Sequence, residues 1–183
     1  MKAIASTFIA LALAAGTLPS LARAQTYQFP WAAGGKRVIT TGYEGDPVSQ
    51  HTGFAEDVFA LDFAVPGGRD ASAGTAATTI GSGKVVTATC NRNPQGQLID
   101  WGCRIKVRHP GGDRSQYAHL REGSPIKKGS IVCPGGFVGT VGSTGNARGA
   151  HLHLNLYDGT IDAQGDPIKP EPVSYTHLTL PTK

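Results

Sequence analysis

The chain has 183 residues, of which 17 are Lys or Arg and 13 are Asp or Glu. That length suffices for one domain with a real core. A formal charge of +4, with no basic block interleaved with aromatics, excludes a nucleic-acid footprint and suits at most an anionic polymer such as a cell wall.

Met1-Lys2, an apolar run from residue 3 to about 18, and Leu21-Ala22-Arg23-Ala24 form a secretory signal peptide, with cleavage expected before Gln25. The apolar part is short for a spanning helix, and no later segment could cross a bilayer. The mature chain is therefore expected to be secreted or periplasmic, with no membrane span. Without Lys2 and Arg23, fifteen bases face thirteen acids, a net charge of +2. Export also implies an oxidising compartment. Cys90 ends one strand-like run and Cys103 begins the next, so the two can pair across a hairpin. Cys133 is left over, as a buried thiol or one whose partner is missing. No short Cys-x-x-Cys pair points to a thiolate zinc site.

Residues 25–50 read as irregular, with a short strand at 37–41 ended by Gly42 and a turn at Gly45-Asp46-Pro47. His51 follows. Residues 59–65 form an apolar strand with Asp62 in its middle. A carboxylate there is costly to bury unless it is paired or binds a metal; the alternative is an edge strand that turns it to water. Residues 67–83 read as loop with a short strand at 77–80. Residues 84–90 are strand-like, and 91–102 form a long hairpin tip around Asn93-Pro94-Gln95-Gly96. Trp101 beside the tip is either a surface platform for a sugar or peptide or a hydrophobic lid over the hairpin.

Residues 103–109 alternate, with Arg104, Lys106 and Arg108 on one side and Ile105, Val107 and His109 on the other. The basic stripe reads as a solvated sheet face. Pro110-Gly111-Gly112-Asp113 turns the chain, and residues 115–120 return as a strand. Tyr117 and His119 stand at i, i+2 and so share a face, where Tyr117 lines a cleft or packs. Residues 129–142 hold a glycine-punctuated pair of short strands. They lead into Gly142-Ser143-Thr144-Gly145-Asn146 and the strand with His151 and His153. Alternation puts His151, His153, Asn155 and Tyr157 on one face and Leu152, Leu154 and Leu156 on the other. No helical periodicity of useful length follows the signal peptide. Many short strands between turn signals indicate an all-β domain of antiparallel sheets.

His51, Asp62, His119 and the pair His151/His153 thus come from separate strands and loops. Histidines with a carboxylate form a ligand set suited to zinc and hydrolysis, and spare imidazoles suit acid–base work. At this point the sequence resembles the lysostaphin-type (LytM-type) zinc endopeptidases that cut peptides of bacterial peptidoglycan. The match lies in His51 with Ala60-Leu61-Asp62-Phe63-Ala64, in Val107-Arg108-His109-Pro110-Gly111, in Tyr117-Ala118-His119-Leu120, and in Gly142-Ser143-Thr144-Gly145-Asn146 with His151-Leu152-His153. It covers roughly residues 38 to 157.

The resemblance implies a lysostaphin/LytM-like (duplicated hybrid motif) peptidase fold and one zinc ion held by His51, Asp62 and His153. His119 and His151 would then act catalytically on a zinc-activated water. It implies a peptidoglycan peptide as substrate and a monomeric enzyme. The commonest family spacing puts the aspartate four positions after the first histidine, at Ala55 here, whereas Asp62 lies eleven after it. Glu56 and Asp57 therefore compete with Asp62. His109 reads as a turn-flanking residue, His177 is discounted, and Asn155 and Tyr157 are expected to support the site from their strand. From residue 173 the wording has no relation to the family. The expected division is a signal peptide at 1–24, a peptidase domain at 25–172 and a non-native tail at 173–183. Competing readings are a non-catalytic wall-binding domain or activator of other wall hydrolases, and an exported protease acting on Gly-rich proteins.

Overall fold

Strand alternation decides the architecture. In the computed structural model, which describes residues 27–42, 51, 60–157 and 178–179, eleven strands form and no helix occurs among the described residues. They are β1 (Tyr27–Gln28), β2 (Val38–Thr41), β3 (Leu61–Ala64), β4 (Ala76–Thr78), β5 (Gly83–Arg92), β6 (Leu98–Arg108), β7 (Arg114–Leu120), β8 (Ile131–Val132), β9 (Phe137–Thr140), β10 (Leu152–Tyr157) and β11 (Leu178–Thr179). The signal peptide, Glu56, Asp57 and His177 lie outside the described residues.

A seven-stranded sheet runs β2-β3-β10-β7-β6-β5-β8 with antiparallel neighbours. β4 and β9 form a second, antiparallel pair, and β1 pairs with β11 in parallel. The all-β antiparallel reading is thus what the chain adopts. The inner face of the large sheet supplies Phe63, Ile105, Val107, Tyr117, Leu152, Leu154 and Leu156, which join Ala77 and Val138 from the β4–β9 pair in one core cluster. Trp31 stacks on Phe29 at 4.8 Å between ring centroids and meets Phe63 edge-on at 5.1 Å, which closes the core near the chain's first strands. Burying such side chains contributes about 1.5–3 kcal/mol each.

His109 and Tyr117 show how polar groups enter this core. The Tyr117 hydroxyl accepts from the Ile80 amide at 2.8 Å and from Ser115 Oγ at 3.0 Å. His109 donates from Nδ1 to the Ser82 carbonyl at 2.7 Å, with Nε2 2.9 Å from Ser115 Oγ. Burial pushes the His109 imidazole down from its usual pKa against the opposing pull of Ser82 and Asp113. Its place is structural, as its turn-flanking position suggests.

Two expectations about β5 and β6 need correction. The hairpin tip is short, because β6 begins at Leu98 rather than after Gly102. The basic stripe is solvated only in part: Arg108 is exposed and Arg104 half-buried, but Lys106 is buried, as is its cross-strand partner Gln116 on β7. Three alternating cations on one strand look solvated only when nothing covers that side of the sheet. The Cys90–Cys103 disulfide is present and joins cross-strand partners. Cys133 is exposed and unpaired, which rules out the buried-thiol alternative.

Candidate active site

The register of β3 against β10 sets Asp62 directly opposite His153. Both side chains leave the sheet on the face away from the core, and both are buried. Asp62 Oδ1 lies 3.0 Å from His153 Nδ1 and 3.2 Å from His51 Nε2, while Oδ2 lies 3.5 Å from His151 Nε2. One carboxylate therefore faces three imidazoles. Burial alone would push the Asp62 carboxyl up. The close approach of His153 and His51 to Oδ1, with the charges of His153 and His151, outweighs it and holds the group well below the usual carboxylate range.

His119 closes the group, its ring centroid 4.7 Å from that of His151 and 5.6 Å from that of His153. It reaches this side of the sheet by breaking alternation. Regular β7 geometry would put His119 beside Tyr117, in the core. Instead its φ is +57°, a left-handed conformation that is uncommon outside glycine and collects at functional sites. The expectation that Tyr117 shares a face with His119 is thereby overturned. Tyr117 packs in the core with no exposure, and His119 turns toward the histidines. Burial, and then the neighbouring His153 and His151, push the His119 imidazole down to about 3, so it is neutral near pH 7.

Three of the rings are oriented the same way. His51 donates from Nδ1 to the Gly42 carbonyl (2.8 Å), His119 to that of Thr144 (2.8 Å) and His151 to that of Gly149 (2.9 Å). Backbone carbonyls thus fix the Nδ1–H tautomer and leave each Nε2 with its lone pair. Thr144 does more. Its hydroxyl donates to the Leu120 carbonyl at 2.7 Å and accepts from the Cys103 amide at 2.9 Å. It therefore ties the end of β7, the far end of the disulfide-closed loop and the His119 ring to one turn. Sequence reasoning missed Thr144. The only signal for it was its place in the Gly-Ser-Thr-Gly-Asn turn, where Gly145 runs so close to Asp100 and Gly102 that an added Cβ would sit 2.3 Å from their backbones.

These residues floor a cleft of about 750 Å³ whose walls include Thr40, Val65, Arg69, Trp101, Asn146 and Arg148. Trp101 is half-buried at its edge, so the platform reading fits its position better than a lid over the hairpin. Asn155 is buried one pleat repeat from His153, opposite Gln116 of β7.

His51, Asp62 and His153 each offer a ligand atom, all within 4.8 Å of one another and all buried. Two imidazoles and a carboxylate fit zinc, which holds such ligands at about 2.0–2.2 Å. His51 meets a further requirement, a second ring nitrogen bonded to a carbonyl so that the ligating nitrogen is aimed.

Against known proteins, the model of Peptidase family M23 matches residues 62–170. The DD-carboxypeptidase/endopeptidase Mpg of Neisseria meningitidis serogroup B is 34% identical over 88 residues, 48% of this chain and 18% of that protein. The chain thus aligns with less than a fifth of that relative's length. Several solved structures share the fold. A catalytic-domain variant of the prophage-encoded M23 protein EnpA from Enterococcus faecalis superposes with a TM-score of 0.55 at 24% identity, covering 80% of this chain and 98% of that one. A zinc-containing peptidase from Vibrio cholerae superposes with a TM-score of 0.54 at 22% identity, covering 82% of this chain and 40% of that one.

Proposed function

The chain belongs to peptidase family M23, and from that premise we propose that it is an exported zinc endopeptidase hydrolysing peptide bonds of bacterial peptidoglycan, in its stem peptides or cross-bridges. The observation that supports this best is the buried carboxylate of Asp62, faced by His51, His151 and His153 with His119 beside them.

In this reading His51, Asp62 and His153 would hold one zinc ion. Bound there, zinc supplies Lewis acidity for amide hydrolysis at neutral pH. His119 and His151 do the proton work. Each has its Nδ1–H committed to a backbone carbonyl, so its Nε2 is free of that hydrogen and can take the proton of the attacking water. The ring so protonated then donates to the developing oxyanion or to the departing amine. Residues 1–24 serve as the export signal, 25–172 as the peptidase domain and 173–183 as a non-native tail, and the enzyme works as a monomer.

Digestion of purified bacterial wall, read by mass spectrometry of the released fragments, tests this. New peptide termini from the native chain, lost on chelation and absent with His151→Ala, are expected. Tight zinc binding with no cleavage of any wall type would instead favour a wall-binding or activator role.

A further inference from the structure

Trp101 has no part in the chemistry above, yet the backbone presents it with unusual care. The residues on either side of it both have positive φ, Asp100 at +52° and Gly102 at +58°. Asp100 is not glycine, so that left-handed conformation is uncommon and here has neighbours that hold it. The neighbours are those that position His119. The Asn146 amide donates to the Asp100 carbonyl at 2.8 Å, and the Cys103 amide donates to Thr144 Oγ1 at 2.9 Å. Gly102 passes so close to Thr144 that a Cβ there would lie 2.3 Å from its hydroxyl. The Arg104 guanidinium stacks on the indole 4.4 Å from the ring centroid, and the half-buried Trp101 side chain lines the cleft.

We propose that Trp101 contacts the substrate, its indole forming the fixed wall against which the peptide chain beside the scissile bond packs. The inference rests on the peptidase reading and deepens it. A rigid aromatic held by its backbone, its disulfide-closed hairpin and a stacked cation loses little freedom on binding, so its contact goes into affinity. An indole packs on peptide planes and small side chains alike. Trp101 therefore sets how tightly and in what position the peptide sits, while the histidines act on it.

The test uses the full chain loaded with zinc, with initial rates on purified wall as the probe. Trp101→Ala is expected to raise KM roughly 10-fold, from the loss of an aromatic contact, with kcat within about twofold and zinc content unchanged. Trp101→Phe should restore KM to within about threefold. A wild-type KM in the alanine variant overturns the proposal, as does an equal loss in both variants that tracks a lower melting temperature. A second readout is independent of cleavage. Trp31 is buried in the core, so a change in tryptophan fluorescence when wall peptides are added to the His151→Ala protein reports Trp101, and it should vanish in the His151→Ala, Trp101→Phe double variant. A fluorescence change without cleavage by the native chain would remove the peptidase reading and keep Trp101 as a peptide contact. Cleavage with no change would do the reverse, and neither would remove both.

Discussion

Replacing Thr144 by Val keeps the side-chain shape and deletes one hydroxyl. That hydroxyl accepts from the Cys103 amide and donates to the Leu120 carbonyl, and both of those residues are fully buried. A stranded buried amide costs about 1–3 kcal/mol and a lost neutral hydrogen bond about 1 kcal/mol, so the expected destabilisation is about 2–4 kcal/mol. For a domain of this size each kcal/mol lowers Tm by about 2–4 °C, which predicts a fall of roughly 4–16 °C by calorimetry. The same change loosens the carbonyl that holds His119. Misplacing a reacting group by about 1 Å can cost on the order of 10²-fold, so kcat on wall should fall about 10- to 100-fold. Bound zinc should stay unchanged, because no contact of Thr144 reaches His51, Asp62 or His153, whereas KM should rise, because the same hydroxyl holds the Cys103 amide next to the Trp101 segment. Thr144→Ser should restore both Tm and kcat. A Val variant that melts lower but turns over normally would refute the link between this turn and His119.

Other expectations are simpler to state. Asp62→Asn should abolish stoichiometric zinc binding, read by elemental analysis, while Asp57→Ala retains it; the opposite pattern would transfer the ligand role. His119→Ala and His151→Ala should each lower the rate on the order of 10²-fold or more with zinc retained. His109 is held below its usual pKa, so the unfolded chain protonates it first: its contribution to stability is whole above about pH 6.5 and falls as the pH drops, by up to about 1.4 kcal/mol per unit. A His109→Gln variant should therefore show a shallower loss of Tm between pH 7 and 5 than the native chain at the same zinc concentration. Removing the Cys90–Cys103 disulfide, which closes a sequence separation of 13, should cost about 3 kcal/mol and roughly 6–12 °C in Tm.

The pattern of β10 was legible because alternation there is regular, with Leu152, Leu154 and Leu156 inward and His153 and Asn155 outward, as buried pairs opposite β7. Asp62 stood out because a carboxylate in an apolar strand needs a partner, and its partners proved to be imidazoles. Where the period of two breaks, the sequence misleads. Nothing local marks His119 as left-handed, so alternation alone sets it on the face of Tyr117, in the core. Lys106 is illegible for another reason: whether one position of a polar sheet face is wet depends on what the rest of the chain lays over it. Thr144 escaped notice because its work lies in backbone contacts with Cys103, Leu120 and His119, which are distant in sequence.

The left-handed His119 bears on attempts to move this catalytic group into another scaffold. A histidine copied into a regular strand of a host protein would point to the wrong layer, and no rotamer would bring it back across the sheet. What must be transplanted is the reversal itself, together with the threonine turn that keeps it in place. That makes the portable unit a strand end plus a loop some 25 residues away, and it sets the smallest piece of this chain from which the chemistry can be rebuilt.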